Sequence, residues 1–215
     1  MATPVTLRGQ ETRARLLAAA EKVFGEKSYF AVSIADITRE AGTGSGTFYI
    51  YFSSKEAAFR ELMKERGHEL RTVTRLAAQG APDRIEAERR AFAGFFDFIN
   101  HHGNLYRVVR QSEFVDPALM RDFYQAMADG YTAGLRDAMD AGEIGPMDPE
   151  VLAYCLMGVG DFIGMRWVVW TGTAIPPNVM EQVTEFVTRG LRRPVLEEPK
   201  GGAATGDQAA SKTDP

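Results

Sequence analysis

Small hydrogen-bonding side chains are concentrated in residues 43–55 of this 215-residue chain. Thr43, Ser45 and Thr47 alternate with glycines, and an aromatic run separates them from Lys55. Hydroxyls of this size at the front of a short helix can reach base edges in a DNA major groove. Tyrosine hydroxyls, and a lysine at a helix start, are suited to phosphate oxygens. The pattern therefore predicts a surface that binds nucleic acid.

The predicted contacts divide into base readers and phosphate binders. Hydroxyls at 43, 45 and 47 are expected to face bases, and Tyr49, Tyr51 and Lys55 are expected to bind phosphates. Ile50 is expected to touch a thymine methyl group. We expect Phe48 and Phe52 to pack in the core instead. The full predicted set is Ser33, Thr43, Gly44, Ser45, Thr47, Tyr49, Ile50, Tyr51 and Lys55.

Two short helices must position these side chains. Ser33 precedes an apolar stretch and has Asp36 three residues on, which is the spacing of a capping box. Glycines at 42, 44 and 46 then crowd a turn before the aromatic run. A helix-turn-helix is therefore predicted in residues 33–52, after an amphipathic helix that begins at Glu11. A long helix over residues 55–78 is expected to follow.

Residues 41–59 read AGTGSGTFYIYFSSKEAAF, which resembles the AGVSxGTLYxYFxSKExLF signature of the TetR family of bacterial repressors. The resemblance extends over about residues 8–62, and beyond them only the helix pattern is similar. Two departures occur at the turn: Thr43 replaces a usual aliphatic residue, and Gly44 replaces a usual capping Ser or Thr. Ile50 replaces a residue that often faces DNA in the family.

The remaining pattern is also helical. Helices are predicted over residues 83–102, 104–113, 117–141, 149–170 and 177–192, and no strand pattern is found. Asp116-Pro and Asp148-Pro each combine a capping carboxylate with proline at the first helical position. The chain is therefore expected to be all-α with about nine helices. Its expected parts are a DNA-binding domain at 8–68, a ligand-binding and dimerisation domain at 69–193, and a disordered tail at 194–215.

Composition excludes several protein classes. The chain carries a net charge of −4, but residues 1–60 hold 8 Lys and Arg against 6 Asp and Glu, so only this part favours phosphate. It has one cysteine, Cys155, and no Cys/His cluster, so neither a metal nor any other cofactor is expected. No signal peptide and no uninterrupted apolar run of about 18 residues is found, which predicts a cytoplasmic protein without membrane contact.

An apolar cavity for a small effector is predicted in the second domain, as the resemblance implies. Most of the aromatic residues there are expected to be core, with some of them lining the cavity. Arg107, Arg110 and Arg166 are candidates to pair with an anionic group, and an acyl-CoA-like effector is one hypothesis. The predicted lining is Phe92, Phe95, Phe96, Ile99, Tyr106, Arg107, Arg110, Phe114, Phe123, Met127, Tyr131, Phe162, Arg166 and Trp167.

The resemblance further implies a homodimer on palindromic operator DNA. The helices at 149–170 and 177–191 would pair with those of a second subunit, and Gly158, Gly160 and Gly164 would allow close packing, as at a dimer interface. An apolar acyl or aromatic ligand would shift the helix at 55–78 and release a repressor from DNA. An enzyme or a carrier is the alternative, but no nucleophile–base pair, metal cluster or paired carboxylates support catalysis.

Overall fold

Nine α-helices and no strands make up the described part of the chain, residues 6–192, in the computed structural model. This confirms the all-α prediction, while the predicted tail at 194–215 lies outside the described residues. A π-helical segment, Met165–Thr171, continues α8. The helices are α1 Leu7–Lys27, α2 Ile34–Glu40, α3 Ser45–Tyr51, α4 Lys55–Ala78, α5 Arg84–His101, α6 Gly103–Val115, α7 Pro117–Asp140, α8 Pro149–Gly164 and α9 Pro177–Leu191.

Capping side chains explain where the helices begin. Asp116 Oδ1 accepts a hydrogen bond from the Ala118 amide at 3.1 Å. Asp148 Oδ1 accepts one from the Glu150 amide at 2.8 Å, as the two Asp-Pro pairs predict. The predicted start of α1 at Glu11 is wrong, because Thr6 caps that helix and it begins at Leu7.

The first four helices pack around a core of fully buried aliphatic and aromatic side chains, among them Leu16, Phe24 and Phe59. Phe48 and Phe52 belong to this core, as expected, and have almost no exposed surface. Because these two rings turn inward from α3, the opposite face of α3 must turn outward. The aromatic run therefore anchors the helix that carries the predicted DNA contacts.

A side-chain bridge fixes this N-terminal unit to the rest of the protein. Gln111 on α6 accepts a hydrogen bond from the Tyr29 amide at 2.5 Å and donates one to the Phe24 carbonyl at 3.0 Å. The α4 helix also runs without a break across the predicted domain boundary between residues 68 and 69. A movement of α4 would therefore displace residues on both sides of that boundary.

The second core lies between α5, α7, α8 and α9 and is built on Phe92, Phe96 and Leu135. Two of the three glycines of α8, Gly160 and Gly164, pack inside the subunit. A Cβ atom at Gly160 would lie 3.1 Å from the Phe95 ring, and one at Gly164 would lie 1.8 Å from the Tyr106 hydroxyl oxygen. Gly160 and Gly164 thus serve packing within one subunit rather than the dimer interface to which the sequence pattern assigned them.

Candidate nucleic-acid interface and central cavity

The outward side of α3 carries exposed residues of mixed chemistry. Ser45 lies in its first turn and is exposed, while Tyr49 is 54% and Ile50 72% exposed. Thr47 and Tyr51 are half-buried beside them. Gly44 is the N-cap and provides no side-chain hydrogen bond, so no capping side chain occupies the first amides of α3. Hydroxyl, phenol and apolar groups thus lie together on one short helix.

Ser33 is occupied by the predicted capping box of α2. Its hydroxyl accepts from the Asp36 amide at 3.2 Å, and the Asp36 carboxylate accepts from the Ser33 amide at 2.9 Å. The carboxylate also pairs with Lys27 and Arg39. These hydrogen bonds, first of all those from Ser33, hold the pKa of Asp36 far below its usual value. The first role of Ser33 is therefore to begin α2.

Thr43 does not present its hydroxyl to the outside. Its Oγ1 atom is shielded from water and has no hydrogen-bond partner among residues 6–192. Thr43 is half-buried, so its hydroxyl is not available as a base reader in this conformation.

Lys55 is bound inside the protein. Its Nζ donates to the Tyr29 carbonyl at 2.8 Å and to the Val32 carbonyl at 2.7 Å, and lies 4.3 Å from the centre of the Tyr29 ring. Burial lowers the pKa of this amine. A phosphate contact would require the ammonium to leave both carbonyls, so the structure gives Lys55 a different set of partners from the predicted ones.

Arg39 is a basic residue that the sequence prediction missed. It lies in the last turn of α2, just before the turn to α3, and its side chain is 73% exposed although it pairs with Asp36. Its place beside the glycine turn was the available signal. An exposed guanidinium there is well suited to a phosphate oxygen.

A cavity of about 690 Å³ lies between α4, α5, α7 and α8. This volume is within the usual range of small-molecule sites. Half of the predicted lining residues do line it, and all of these are apolar or aromatic. They are Phe92, Phe95, Ile99, Tyr106, Phe123, Met127 and Tyr131.

The other aromatic predictions are wrong for this cavity. Phe96 is fully buried, but in the second core. Phe114 and Phe162 are exposed on the protein surface at 75% and 62%. Trp167 packs against the second core and lies under the guanidinium of Arg166 at 5.3 Å. Helical periodicity placed these residues on apolar faces, but it does not tell which neighbour covers a face.

None of the three predicted arginines lines the cavity. Arg107 donates to the Gly25 carbonyl at 3.4 Å, Arg110 pairs with Asp161 at 3.3 Å, and Arg166 is exposed. The cationic lining comes instead from Arg71 and Arg75 on α4 and from Arg84 on α5, and His68 also lines the cavity. The sequence prediction did not include Arg71, Arg75 and Arg84, although all three fall within its ligand-binding domain at 69–193.

Each end of the cavity carries buried polar groups. Glu88 pairs with Arg84, and burial raises the pKa of its carboxyl despite that partner. At the other end, burial raises the pKa of Tyr124 to about 12 and also raises that of Asp161. Apolar walls with a few polar groups are typical of a ligand site.

The matches to known proteins also distinguish the N-terminal part of the chain from the rest. Residues 16–62 match the family model of bacterial regulatory proteins of the tetR family. An HTH-type transcriptional regulator of Bacillus subtilis, YdgC, is 25% identical over 86% of this chain and 94% of its own length. The HTH-type transcriptional activator FasR of Mycolicibacterium smegmatis is 31% identical over 49% of this chain and 48% of its own length.

Residues 16–62 are therefore a TetR-type helix-turn-helix region, and the chain as a whole is similar to HTH-type transcriptional regulators. These relatives are named as regulators of transcription. The fold agrees with this assignment. The crystal structure of FadR from Bacillus subtilis in complex with stearoyl-CoA has a TM-score of 0.74 to it at 21% identity, covering 83% of this chain and 99% of that one.

The outer faces of α8 and α9 are apolar and uncovered in the described part of the chain. Val151, Tyr154 and Phe162 on α8 and Phe186 on α9 are exposed, whereas Leu152, Val183 and Val187 of the same predicted stripes are buried within the subunit. Residues Pro149–Thr171 are long and apolar enough to cross a membrane by length and composition. That test is also passed by core helices of soluble proteins, and part of this helix is buried in the second core.

A charged network joins the two halves of the protein. Glu21 on α1 accepts from Arg66 Nε on α4 at 2.6 Å, and His102 at the junction of α5 and α6 lies 3.3 Å from the same carboxylate. The His102 ring stacks on Phe98 with centroids 4.4 Å apart. Within residues 6–192 no group of three or more His, Cys, Asp and Glu side chains is placed to hold a metal ion.

Proposed function

We propose that the protein is a dimeric repressor that an apolar ligand releases from a palindromic operator. The supporting observation is the course of α4. This helix starts directly after the α2–α3 unit and then forms one wall of the central cavity with Arg71, Thr74 and Ala78. A ligand that displaces this wall therefore changes the position of α3.

The dimer supports operator binding for geometric reasons. One helix-turn-helix contacts few bases, and two-fold pairing places two of them about one DNA turn apart, on half-sites of a palindrome. The exposed face with Val151, Tyr154, Phe162 and Phe186 would be covered by the same face of a second subunit. Helices at 149–170 and 177–191 then form the dimer core. With this face covered, we propose that the protein is soluble and cytoplasmic.

We assign the DNA contacts from exposure. Ser45 and Thr47 read base edges, Ile50 touches an apolar base edge, and Tyr49 and Tyr51 bind phosphates beside the groove. Gly44 allows close backbone approach. The predicted roles of Ser33, Thr43 and Lys55 need a side-chain rearrangement on DNA, because all three side chains are engaged or shielded in the free protein.

The effector is proposed to be an elongated apolar molecule, with an acyl or aromatic body. The lining supports this through Phe92, Phe95, Phe123 and Met127. If the effector also carries an anionic group, Arg71 is the better partner than the arginines predicted from sequence, since it lines the cavity and has no ion-pair partner among residues 6–192. The related fold that holds stearoyl-CoA is consistent with a ligand of this class.

The coupling between cavity and DNA follows from differential binding. A ligand lowers operator affinity only as far as it prefers the conformation that does not bind DNA. Shifting α4 outward strains the bond between Arg66 and Glu21 and separates the α3 helices of the two subunits. We place the domain boundaries at 8–68 and 69–193 on this basis, with α4 shared between them.

The test is operator binding by the pure full-length protein. Fluorescence anisotropy with promoter DNA upstream of its own gene should show sequence-selective binding that weakens steeply with salt. Ser45→Ala should alter base preference at one position per half-site, while Thr132→Ala, at a half-buried position on α7, serves as the control. Absence of salt-sensitive, sequence-selective DNA binding would reject the regulator function. Tighter DNA binding as the concentration of an apolar ligand increases would reject release of the protein by that ligand.

A further inference from the structure

A buried ion pair closes one end of the central cavity. Arg84 begins α5, and its Nη2 donates to Oε1 of Glu88, one turn further along the same helix. Both residues line the cavity, and Glu88 is only 1% exposed. Because the two charges oppose each other within one pair, this end presents hydrogen-bonding groups without a net charge.

Two polar atoms of this pair are left without partners. Arg84 Nε and Glu88 Oε2 are shielded from water and make no hydrogen bond among residues 6–192. Buried polar atoms in folded proteins are nearly always paired, so each exception requires an explanation. The guanidinium nitrogen is a donor and the carboxylate oxygen is an acceptor. A ligand group that both accepts and donates would satisfy the two atoms together.

Tyr131 on α7 adds a third polar group beside the pair. It lines the cavity together with Glu88 and Arg84, and the charges of both residues act on its hydroxyl. Burial raises its pKa strongly, so the phenol stays neutral and can donate or accept. This end thus carries three hydrogen-bonding side chains and lies against an apolar wall.

The pair lies at the end of the cavity that is remote from α3. A Cβ atom at Gly67 of α4 would lie 3.1 Å from the Phe123 ring, while one at Gly134 would lie 2.7 Å from Arg84 Nη1. These two levels are about 16 Å apart along α7 at the usual rise per residue. An elongated ligand can therefore place its apolar body near Phe123 and its polar end at Arg84 and Glu88.

We propose that Arg84, Glu88 and Tyr131 bind an uncharged donor–acceptor group, a hydroxyl or a primary amide, at the buried end of an elongated apolar effector. The proposal deepens the proposed function, on which it rests for treating the cavity as an effector site. A carboxylate at this end would lie against the Glu88 charge. A methyl group would leave both shielded atoms unpaired.

The test uses four probes that share an eight-carbon chain: octanol, octanamide, octanoate and octyl methyl ether. Their affinities are measured at neutral pH by displacement of an environment-sensitive apolar dye from the full-length protein. Octanol and octanamide should bind about tenfold or more tighter than octanoate and the ether. The ether is the sharpest comparison, because it keeps an oxygen acceptor and lacks only the donor.

Two variants test whether these residues cause the difference in affinity between the probes. Exchange of both members of the pair, R84M/E88L, leaves no unpaired charge, and such exchanges are often neutral or stabilising. It should reduce the preference for octanol over the ether below about threefold, and Tyr131→Phe should reduce it by a smaller factor. Glu86→Gln is the matched control, since Glu86 lies on α5 outside the cavity and pairs with Arg89 and Arg90. Thermal unfolding verifies that each variant is folded.

Each outcome is decisive. Tightest binding of octanoate, equal binding of octanol and the ether, no displacement by any probe, or an unchanged order in folded R84M/E88L would each overturn the proposal. Operator binding is measured on the same preparations by anisotropy. A protein that ranks the probes as expected but binds no DNA would keep this site and reject the proposed function, and the reverse result would reject this site alone.

Discussion

Glu21 on α1 and Arg66 on α4 form a buried ion pair, with 2.6 Å between the Glu21 carboxylate and Arg66 Nε. Arg66 also pairs with Glu69 at 2.7 Å. The contact ties the helix-turn-helix unit to the helix that lines the cavity. It therefore lies where a movement of α4 would be transmitted to α3.

Removal of one partner from this pair is expected to be costly. Arg66→Met leaves the buried Glu21 carboxylate with His102 alone and should lower the free energy of unfolding by about 3 kcal/mol. Urea denaturation measures the change. Arg89→Met removes an exposed pair with Glu86 and should leave the midpoint unchanged. Equal midpoint shifts in the two variants would contradict the importance of burial.

The same pair predicts a pH dependence. Burial alone would raise the pKa of Glu21, but hydrogen bonds from His102 and Arg66 outweigh it and hold the pKa below the usual 4.5. As the pH falls, the unfolded state therefore binds a proton at Glu21 before the folded state does. The stabilisation from the charged Glu21 carboxylate is thus complete above about pH 4.5 and is lost below it. Comparison of wild type and Glu21→Gln between about pH 6 and pH 3 isolates this group. A difference in stability that is constant across this range would refute the lowered pKa.

Thr43→Val should stabilise the protein. The exchange replaces a shielded, unpartnered hydroxyl with a methyl group of the same shape, and a gain of up to about 1 kcal/mol is expected. Operator affinity should not change. Thermal unfolding measures the stability and anisotropy measures the operator affinity. A loss of sequence preference on DNA would instead support the base contact of Thr43 that the sequence predicted.

Lys55 and Arg39 should differ in the salt dependence of DNA binding. Lys55→Met removes two bonds to backbone carbonyls, so it should cost about 1–2 kcal/mol of stability and leave the slope of log affinity against log salt unchanged. Arg39→Gln should reduce that slope by about 0.9, the value for one lost phosphate contact. A reduced slope for Lys55→Met together with an unchanged slope for Arg39→Gln would show that the Lys55 ammonium turns outward on DNA.

Gly164→Ala should disturb packing within the subunit. The added Cβ atom would lie 1.8 Å from the Tyr106 hydroxyl oxygen, a conflict that typically costs about 1–3 kcal/mol after adjustment. Gly158→Ala is the control on the same helix, because no atom lies within 4 Å of its added Cβ. It should be neutral or stabilising in thermal unfolding, and a loss of dimer in sedimentation would place Gly158 against a second subunit.

The sequence by itself determined the helices and the helix-turn-helix. The relevant signals are local: a capping side chain acts within three residues, as at Ser33 and Asp116, and a helical stripe repeats within one turn. Phe48 and Phe52 were predicted as core for the same reason, since a short helix has only one inward face. These features need no knowledge of distant residues, and the structure confirms them.

Only the tertiary structure decided which charged and polar groups face the cavity or the DNA side. Arg107, Arg110 and Arg166 lie near apolar residues in the chain, yet packing turns them to other partners, while Arg84 and Glu88 are brought to the cavity. Lys55 is bound by carbonyls more than 20 residues away in the chain. A long side chain takes the direction that neighbouring helices leave open to it, and local sequence contains no record of those neighbours.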